Sequence, residues 1–150
     1  MDESLKKQIL KLLDENRVMS LATLRPDGWP QATTVGFSHE GLTLYFLCGP
    51  GSQKAANLAY DDRVSLTIDK DSLQVMQITG LSMAGHAQRI TDPAEVARVL
   101  PLIMQRYPEQ QEFNLPMPKL EDIALYRVTP TVISVLDYSK GFGHAELVKC

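Results

Sequence analysis

Hydrophobic positions along the chain follow two different periods, and the change between them separates a helical start from an extended remainder. Residues 2–16 carry apolar side chains at helical spacing, which predicts an amphipathic helix capped by Asp2 or Ser4. From residue 18 onward, apolar and polar positions alternate in short runs bounded by turn residues, a pattern typical of a β-meander. The predicted strands are Val18–Leu24, Gln31–Ser38, Leu42–Cys48, Val64–Ile68, Met76–Ile90, Ile123–Val128 and Thr131–Leu136.

Turn and cap residues divide these runs and indicate two further helices. Ser52 is a favourable N-cap for a short helix over Gln53–Ala59, and Asp92 followed by proline is a favourable start for a longer helix that reaches Tyr107. Pro101 lies inside this longer pattern, so we expect it to kink or divide the helix. Turns are predicted at Arg25–Gly28 and His39–Gly41, and a loop is predicted over 108–118.

The run Met76–Ile90 is the longest strand candidate, and its alternation changes phase. Apolar residues fall on even positions at its start and on odd positions from Leu81 onward. A period-two pattern changes face only where a residue is inserted, so we expect a β-bulge near Gly80. Pro130 is expected to bend or end the pairing between the last two strands. About six strands with marginal helices predict a mainly β fold, a small closed or partly closed barrel.

Composition restricts the function more than it restricts the fold. The chain has 150 residues, 44% of them hydrophobic and 22% charged, with a net charge of −3 at pH 7. These values are typical of a globular protein and leave no excess of basic residues for nucleic acid. We expect one domain over 1–150, with a site that is small or shared between chains. No apolar run approaches ~18 residues, so we expect no membrane span, no signal peptide and a cytoplasmic location.

Residues that often carry catalysis are scattered through this sequence. Cys48 and Cys150 make a poor disulfide framework, which favours a reducing compartment. The three histidines, His39, His86 and His144, lack the spacing of zinc ligands, so we predict no metal site. No side chain is assigned as a catalytic acid, base or nucleophile.

The segment Cys48–Lys54 has the composition of an anion-binding loop. A strand is followed by a glycine-rich turn and then by a helix start, where free backbone N–H groups and the positive end of the helix dipole meet. Lys54 in the first turn opposes this dipole, and an anionic ligand held by Lys54 and the N–H groups would remove the conflict. The alternative is an ordinary capped turn with a solvated lysine.

The strand Gln31–Ser38 presents one face of small residues. Its odd positions suit a core, whereas its even positions are Ala32, Thr34, Gly36 and Ser38. Such a face lets a flat ligand lie close to the backbone, although close packing against another strand or subunit would explain it equally well. A planar ring on this face and a phosphate at the helix start would fit one ligand, flavin mononucleotide (FMN).

Several of these segments together resemble the pyridoxamine 5'-phosphate oxidase-like family of FMN-binding split barrels. The resemblance covers residues 5–136 and is carried by Pro30–Val35, Leu44–Ala55, Asp62–Leu66 and Gly85–Ile90. It implies a six-stranded antiparallel split β-barrel and a homodimer with two FMN sites at the subunit interface. The tail Tyr138–His144 is similar to that of small bacterial members.

The resemblance also implies which residues bind the cofactor. Ser52 and Lys54 match positions that hold the FMN phosphate, and Gln53 stands where many members have arginine. The strand and strand-end positions that match contacts to the isoalloxazine and ribityl groups are Thr33, Thr34, Val35, Leu47 and Cys48. The second strand lacks the basic residue of the true oxidases, which leaves fewer charge-assisted phosphate contacts and argues against pyridoxamine 5'-phosphate oxidase activity itself.

The expected function is therefore that of a flavin-dependent oxidoreductase acting on a small substrate that the sequence does not specify. One alternative is a reductase that uses the deazaflavin F420, which the same barrel can hold. Another is a non-enzymatic flavin- or haem-binding protein, with His144 the first haem ligand to test. A third is a dimeric barrel with an empty site. The tail Tyr138–His144 either reaches over a site or has only a structural role.

Overall fold

The computed structural model describes residues 1–113 and 119–150, and strands make up most of it. The helices are α1 (Glu3–Glu15), α2 (Gln53–Tyr60), α3 (Pro93–Met104) and α4 (Glu109–Glu112). The strands are β1 (Val18–Leu24), β2 (Pro30–Gly36), β3 (Ser38–Glu40), β4 (Thr43–Cys48), β5 (Arg63–Lys70), β6 (Thr79–Arg89), β7 (Ala124–Asp137) and β8 (Ala145–Lys149). None of the described helices is long and apolar enough to cross a membrane.

All eight strands belong to one antiparallel sheet in the order β2-β1-β5-β6-β7-β4-β3, with β8 paired to the second half of β7. The two end strands of this path, β2 and β3, are consecutive in the chain and are joined by Phe37, which is 1% exposed. The sheet therefore curls until its ends meet at this buried residue. The expected mainly β antiparallel split barrel is confirmed.

The expected number of six strands is wrong. The predicted strand over Gln31–Ser38 divides at Phe37, whose amide donates to the carbonyl of Arg17 at 3.0 Å, and the chain then continues as β3. His39 consequently lies in β3, and the turn that follows falls at Gly41 and the next residue rather than at His39–Gly41. The tail contributes the other unexpected strand, because residues 145–149 pair with β7.

The predicted bulge near Gly80 is also wrong. Residues 75–77 form a single 3-10 turn, and β6 starts only at Thr79 with its buried residues in one phase: Leu81, Met83 and Ala87. The change of phase in the sequence therefore marks the passage from a helical turn into a strand. No residue is inserted at this point, and the pairing of Gly80 with Asp69 is regular.

The register shift of the sheet lies between β6 and β7. Ala84 is opposite Val132 and Gly85 is opposite Pro130, so Thr131 is the extra residue of a bulge in β7. The Thr131 hydroxyl donates to the Ala84 carbonyl at 3.1 Å. The buried positions of β7 accordingly change from even to odd numbers, from Ala124, Tyr126 and Val128 to Ile133 and Val135. The two strands predicted around Pro130 are one bent strand.

The helices cover the ends and one outer face of this sheet. α1 is capped by Asp2 as predicted and buries one side against the barrel interior: Leu5, Ile9, Leu12 and Leu13. α3 packs Val99 and Ile103 against the outer side of β4 and β7. Pro101 does not divide α3, which is continuous to Met104. The loop predicted over 108–118 contains α4, and its positions 114–118 lie outside the described residues.

At Gly85 the backbones of β6 and β7 lie too close together for a side chain. A Cβ atom added there would lie 2.5 Å from the carbonyl oxygen of Thr129. We therefore expect Gly85→Ala to lower the free energy of unfolding in urea by at least about 2 kcal/mol, the cost of overpacking. Gly49→Ala is the matched control, because a Cβ atom there meets nothing within 4 Å. Equal stability of the two variants would contradict the close approach at Gly85.

Asp137 joins the tail to α1. Its carboxylate is buried and accepts hydrogen bonds from the Gln8 amide at 2.9 Å, the Ser139 backbone N–H at 3.0 Å and the Ser139 hydroxyl at 2.5 Å. The hydrogen bond from the Ser139 hydroxyl is the largest influence that lowers the pKa of Asp137 below 3.8. A lowered pKa stabilises the folded state above pH 3.8, and this contribution is lost as the pH falls through the lower folded value.

We therefore expect Asp137→Asn to destabilise the protein by about 1–3 kcal/mol at pH 7, since it weakens bonds to a buried charge. The difference from wild type should shrink as the pH is lowered below 4. Thermal unfolding measured over a pH series tests both points. Asp69→Asn, which removes an exposed carboxylate of β5, is the matched control, and a parallel pH profile for both variants would contradict the role of Asp137.

Candidate functional site

The start of α2 is ordered by Ser52, as the sequence predicts. The Ser52 hydroxyl accepts a hydrogen bond from the Ala55 amide at 3.2 Å and donates to the Gly49 carbonyl at 2.7 Å. The hydroxyl therefore uses its donor hydrogen and an acceptor lone pair within the loop and the first turn of the helix. An anion at this helix start would be held by the backbone N–H groups of the first turn and by Lys54.

Lys54 lies on the side of α2 that packs against the sheet. The helical period places it between Asn57 and Leu58, both buried, while Gln53 and Ala56 are exposed. Lys54 itself is half-buried, and its ammonium group makes no hydrogen bond or ion pair with any other residue in the ranges 1–113 and 119–150. A partly buried cation at the positive end of a helix is unfavourable unless an anion is bound beside it.

Asn57 connects α2 to the first two strands. It is fully buried and donates its amide to the Thr23 hydroxyl at 3.0 Å and to the Gln31 side-chain oxygen at 3.1 Å. Its own oxygen accepts from the Gln53 side chain at 2.8 Å. This network holds α2 in a fixed position relative to β1 and β2. Our sequence reasoning missed Asn57, although a polar residue on the packed side of a short helix was a usable signal.

The three predicted residues of β2 are divided between its two faces. Thr33 and Val35 face the barrel interior, opposite Leu21 and Met19, whereas Thr34 faces outward. The Thr33 hydroxyl oxygen is buried and has no hydrogen-bond partner within the part of the chain that the structure describes. A buried hydroxyl without a partner is rare in a folded protein and indicates a missing ligand or water.

The hydrogen-bond pattern of β2 directs the backbone groups of every second residue toward the edge of the sheet. The Arg25 amide donates to Trp29 and the Phe37 amide donates to Arg17, so the odd residues of β2 form its hydrogen-bonded pairs with β1. In an antiparallel ladder, the backbone groups of the intervening residues then point the other way. The amides of Ala32 and Thr34 therefore point toward the edge of the sheet.

The small-residue face of this strand is shorter than the sequence suggests. Ala32 and Thr34 are exposed as expected, but the Tyr107 hydroxyl packs against Gly36, where an added Cβ would lie 3.0 Å from it. Ser38 is buried and donates to the Leu102 carbonyl at 3.0 Å. The reason is the break at Phe37, which moves Ser38 into β3 and beneath α3.

The surface of small residues instead continues across the neighbouring strands, as the pairing register shows. A row of hydroxyl residues crosses five strands on the outer face of the sheet: Thr34, Ser20, Thr67, Ser82 and Ser134. The neighbouring row carries mainly alanine and serine: Ala32, Ala22, Ser65, Ala84 and Val132. Most of these side chains are exposed, and none of them is charged. No single strand reveals this surface, because each contributes only two or three of its residues.

Leu47 and Cys48 lie on opposite faces of β4. Leu47 is opposite Leu125 and packs in the cluster beneath α3, whereas Cys48 packs against the interior core. Cys48 also lies near Tyr126, whose phenol has a raised pKa chiefly because of burial. Of the two predicted residues, Cys48 therefore lies on the interior side of the strand that leads into α2.

The histidines each face a carboxylate rather than one another. The three pairs are His39 with Asp14 at 2.7 Å, His86 with Asp62 at 2.8 Å, and His144 with Glu146 at 3.1 Å. Beside His86, hydrogen bonds from Arg63 lower the pKa of Asp61 to about 2. Residues 1–113 and 119–150 contain no group of three or more His, Cys, Asp or Glu side chains that could hold a metal ion.

The tail folds back along the second half of β7. The Asp137 amide donates to the His144 carbonyl at 2.9 Å, and the rings of Tyr138 and Phe142 are 5.1 Å apart. The start of α2 follows β4 and so lies at the other end of β7, beside Ala124. The strand has 14 residues, so roughly 40 Å of extended chain separate the two ends. Within one chain, the tail is therefore remote from the helix start.

These features define a class of protein. A half-barrel of antiparallel strands, with a glycine loop and helix start tied to an edge strand, is the architecture of the split barrels. The family model for pyridoxamine 5'-phosphate oxidase matches residues 5–137, and the chain belongs to this family. No protein of curated function matches the sequence significantly.

Solved structures share this fold at low sequence identity. A haem-binding protein from Mycobacterium smegmatis superposes with a TM-score of 0.79 at 18% identity, over 99% of this chain but only 59% of that chain. A FAD-binding protein from Mesorhizobium loti gives a TM-score of 0.69 at 19% identity, covering 86% and 91% of the two chains. The haem storage protein HutZ from Vibrio cholerae gives 0.67 at 21% identity, covering 84% and 89%.

Proposed function

We propose that the protein binds FMN and acts as a flavin-dependent oxidoreductase on a small molecule. The observation that carries this proposal is Lys54, a half-buried cation without a partner in the described residues, at the positive end of α2. The unpartnered Thr33 hydroxyl is a second group suited to a ligand. Membership of the family and the likeness to a FAD-binding protein support a flavin.

The residues near α2 and β2 fit the different parts of this cofactor. Lys54 and the first-turn N–H groups would hold the phosphate, while Ser52 keeps the loop in the required shape and Gln53 supports Asn57. The remaining predicted residues would surround the ribityl chain and ring: Thr33, Thr34, Val35, Leu47 and Cys48. When bound, the flavin supplies hydride or electron transfer, and the protein supplies orientation and electrostatics.

Lys54→Ala tests the position of the phosphate. We expect it to weaken FMN binding by about 1.5–3 kcal/mol, the value of a hydrogen bond to a charged group. This corresponds to a dissociation constant raised about 10- to 150-fold. Riboflavin lacks the phosphate, so its affinity should not change. Both titrations can follow the quenching of flavin fluorescence.

Lys7→Ala, on the exposed side of α1, is the matched control for the loss of one positive charge. An unchanged FMN affinity in Lys54→Ala would refute this placement of the phosphate. A wild-type protein that is colourless when purified and also fails to bind added FMN would refute the cofactor. Reduction of bound flavin by NADH or NADPH would distinguish an enzyme from a passive flavin carrier.

Haem is the second candidate, because two of the similar structures are a haem-binding and a haem storage protein. His144 is the first ligand to test, and its Nε2 atom lies 3.1 Å from a Glu146 oxygen. The absorption spectrum separates haem, flavin and F420, since their bands differ. A haem absorption band that His144→Ala abolishes would favour haem over flavin as the cofactor.

We also propose that the protein is a homodimer with its cofactor sites at the interface. The rows of small hydroxyl and methyl side chains across β1, β2, β5 and β6 form a flat, uncharged surface that a second copy could cover. Leu147 of β8 continues this surface and is 65% exposed. A chain of this length has little polypeptide left to cover the second face of a flat cofactor.

Ser82→Arg tests the dimer, because Ser82 lies near the middle of the hydroxyl row. A buried arginine without a partner should shift the equilibrium to the monomer. Sedimentation equilibrium measures this shift against the chain mass of 16.7 kDa. Gln105→Arg adds the same charge at an exposed position after α3 and should leave the dimer intact. A monomeric wild type, or an unaffected Ser82→Arg variant, would reject the interface.

A further inference from the structure

A cavity lies on the flank of α2 that faces away from Gln31. Its volume is about 320 Å³, and it is lined by Gly51 and Ser52, by three alanines of α2, and by Arg89 and Tyr126. Asn57 and Gln31 contact the opposite side of the same helix. The start of α2 therefore has a polar network on one side and this cavity on the other.

Arg89 and Tyr126 reach the cavity from neighbouring strands. They are directly opposite each other in the register of β6 and β7, so their side chains lie on the same face of the sheet. Arg89 is exposed, and its guanidinium forms no hydrogen bond or ion pair with any residue the structure describes. Its positive charge is close enough to Tyr126 to oppose the rise in the pKa of that phenol.

Tyr126 is the feature that points to a ligand. Its side chain is only 4% exposed, and its ring stacks on Phe46 with the centroids 5.2 Å apart. Its hydroxyl nevertheless has no hydrogen-bond partner among residues 1–113 and 119–150. A phenol in the wall of a cavity, with no partner among the described residues, is available to a ligand that carries a hydrogen-bond acceptor.

The polar groups around this cavity are hydrogen-bond donors. Burial raises the pKa of Tyr126, so its hydroxyl carries a proton at neutral pH and can donate. Arg89 adds a guanidinium, which has donors only. No Asp or Glu is among the lining residues that the structure describes. A set of donors with one positive charge is suited to a small anion.

We propose that this cavity binds a phosphate group, held by Arg89 and by the Tyr126 hydroxyl beside the start of α2. A guanidinium matches the geometry of phosphate oxygens, and the helix start favours negative charge. The phosphate belongs either to the flavin or to a separate phosphorylated molecule. The cavity is defined without reference to the cofactor, so the proposal goes beyond the function proposed above.

Binding of inorganic phosphate, measured by isothermal titration calorimetry, tests the site directly. We expect Arg89→Gln to weaken it at least about tenfold, because a charge-assisted contact is lost. Tyr126→Phe keeps the ring stacked on Phe46 and should weaken binding about threefold or more, since one neutral hydrogen bond is lost. Arg98→Gln, on the exposed side of α3, is the matched control and should bind phosphate like the wild type.

Repeating the titrations with flavins identifies the source of the phosphate. If the cavity takes the FMN phosphate, the FMN-loaded protein no longer binds inorganic phosphate, and Arg89→Gln weakens FMN but not riboflavin. If a separate molecule is bound, the loaded protein still binds phosphate, and Arg89→Gln leaves the FMN affinity unchanged. Each of these results supports the site.

The proposal is overturned if the wild type binds no inorganic phosphate at millimolar concentration. It is also overturned if neither substitution changes the affinity while circular dichroism shows both variants folded. Phosphate binding that depends on Arg89 in a protein that binds no flavin would refute the FMN proposal and keep this one. Flavin binding by a protein that has no phosphate site at Arg89 would refute this proposal and keep the FMN proposal.

Discussion

The bend of β7 is the constraint on which the rest of the fold depends. This strand pairs with β6 over its whole length, with β4 along its first half and with β8 along its second half. The extra residue Thr131 lets one strand turn a different set of side chains inward on each side of Pro130. Gly85 makes the bend possible, because no side chain fits between its α-carbon and the backbone of Thr129.

The bend also sets the surroundings of α2. The first half of β7 supplies Tyr126 beside the helix start, and β6 ends opposite it with Arg89. On the other flank, Asn57 holds the helix to β1 and β2 by buried hydrogen bonds. Lys54 and Arg89 thus reach the same helix start, and neither has an ion-pair partner among the described residues. Two such cations leave an excess of positive charge there, which suits an anionic ligand.

Local patterns predicted the segments that depend on short-range chemistry. α1, the Ser52 cap and the alternation of β5 follow from side chains within a few residues, and they were predicted correctly. Pro101 does not divide α3, because the burial of Val99 and Ile103 keeps the helix continuous despite the lost backbone hydrogen bond. The bulge was misplaced because a change of period does not distinguish an inserted residue from the end of a helical turn.

Some of the predicted site residues lie close together in the structure, and the fold separates the others. A period of two tells which residues share a face of a strand, so Thr33 and Thr34 were expected to differ in exposure. It does not tell which residue of a distant strand lies opposite, because register depends on long-range pairing. The row of hydroxyls and the pair of Arg89 with Tyr126 therefore became visible only once the strands were aligned, which the core and the bend of β7 decide together.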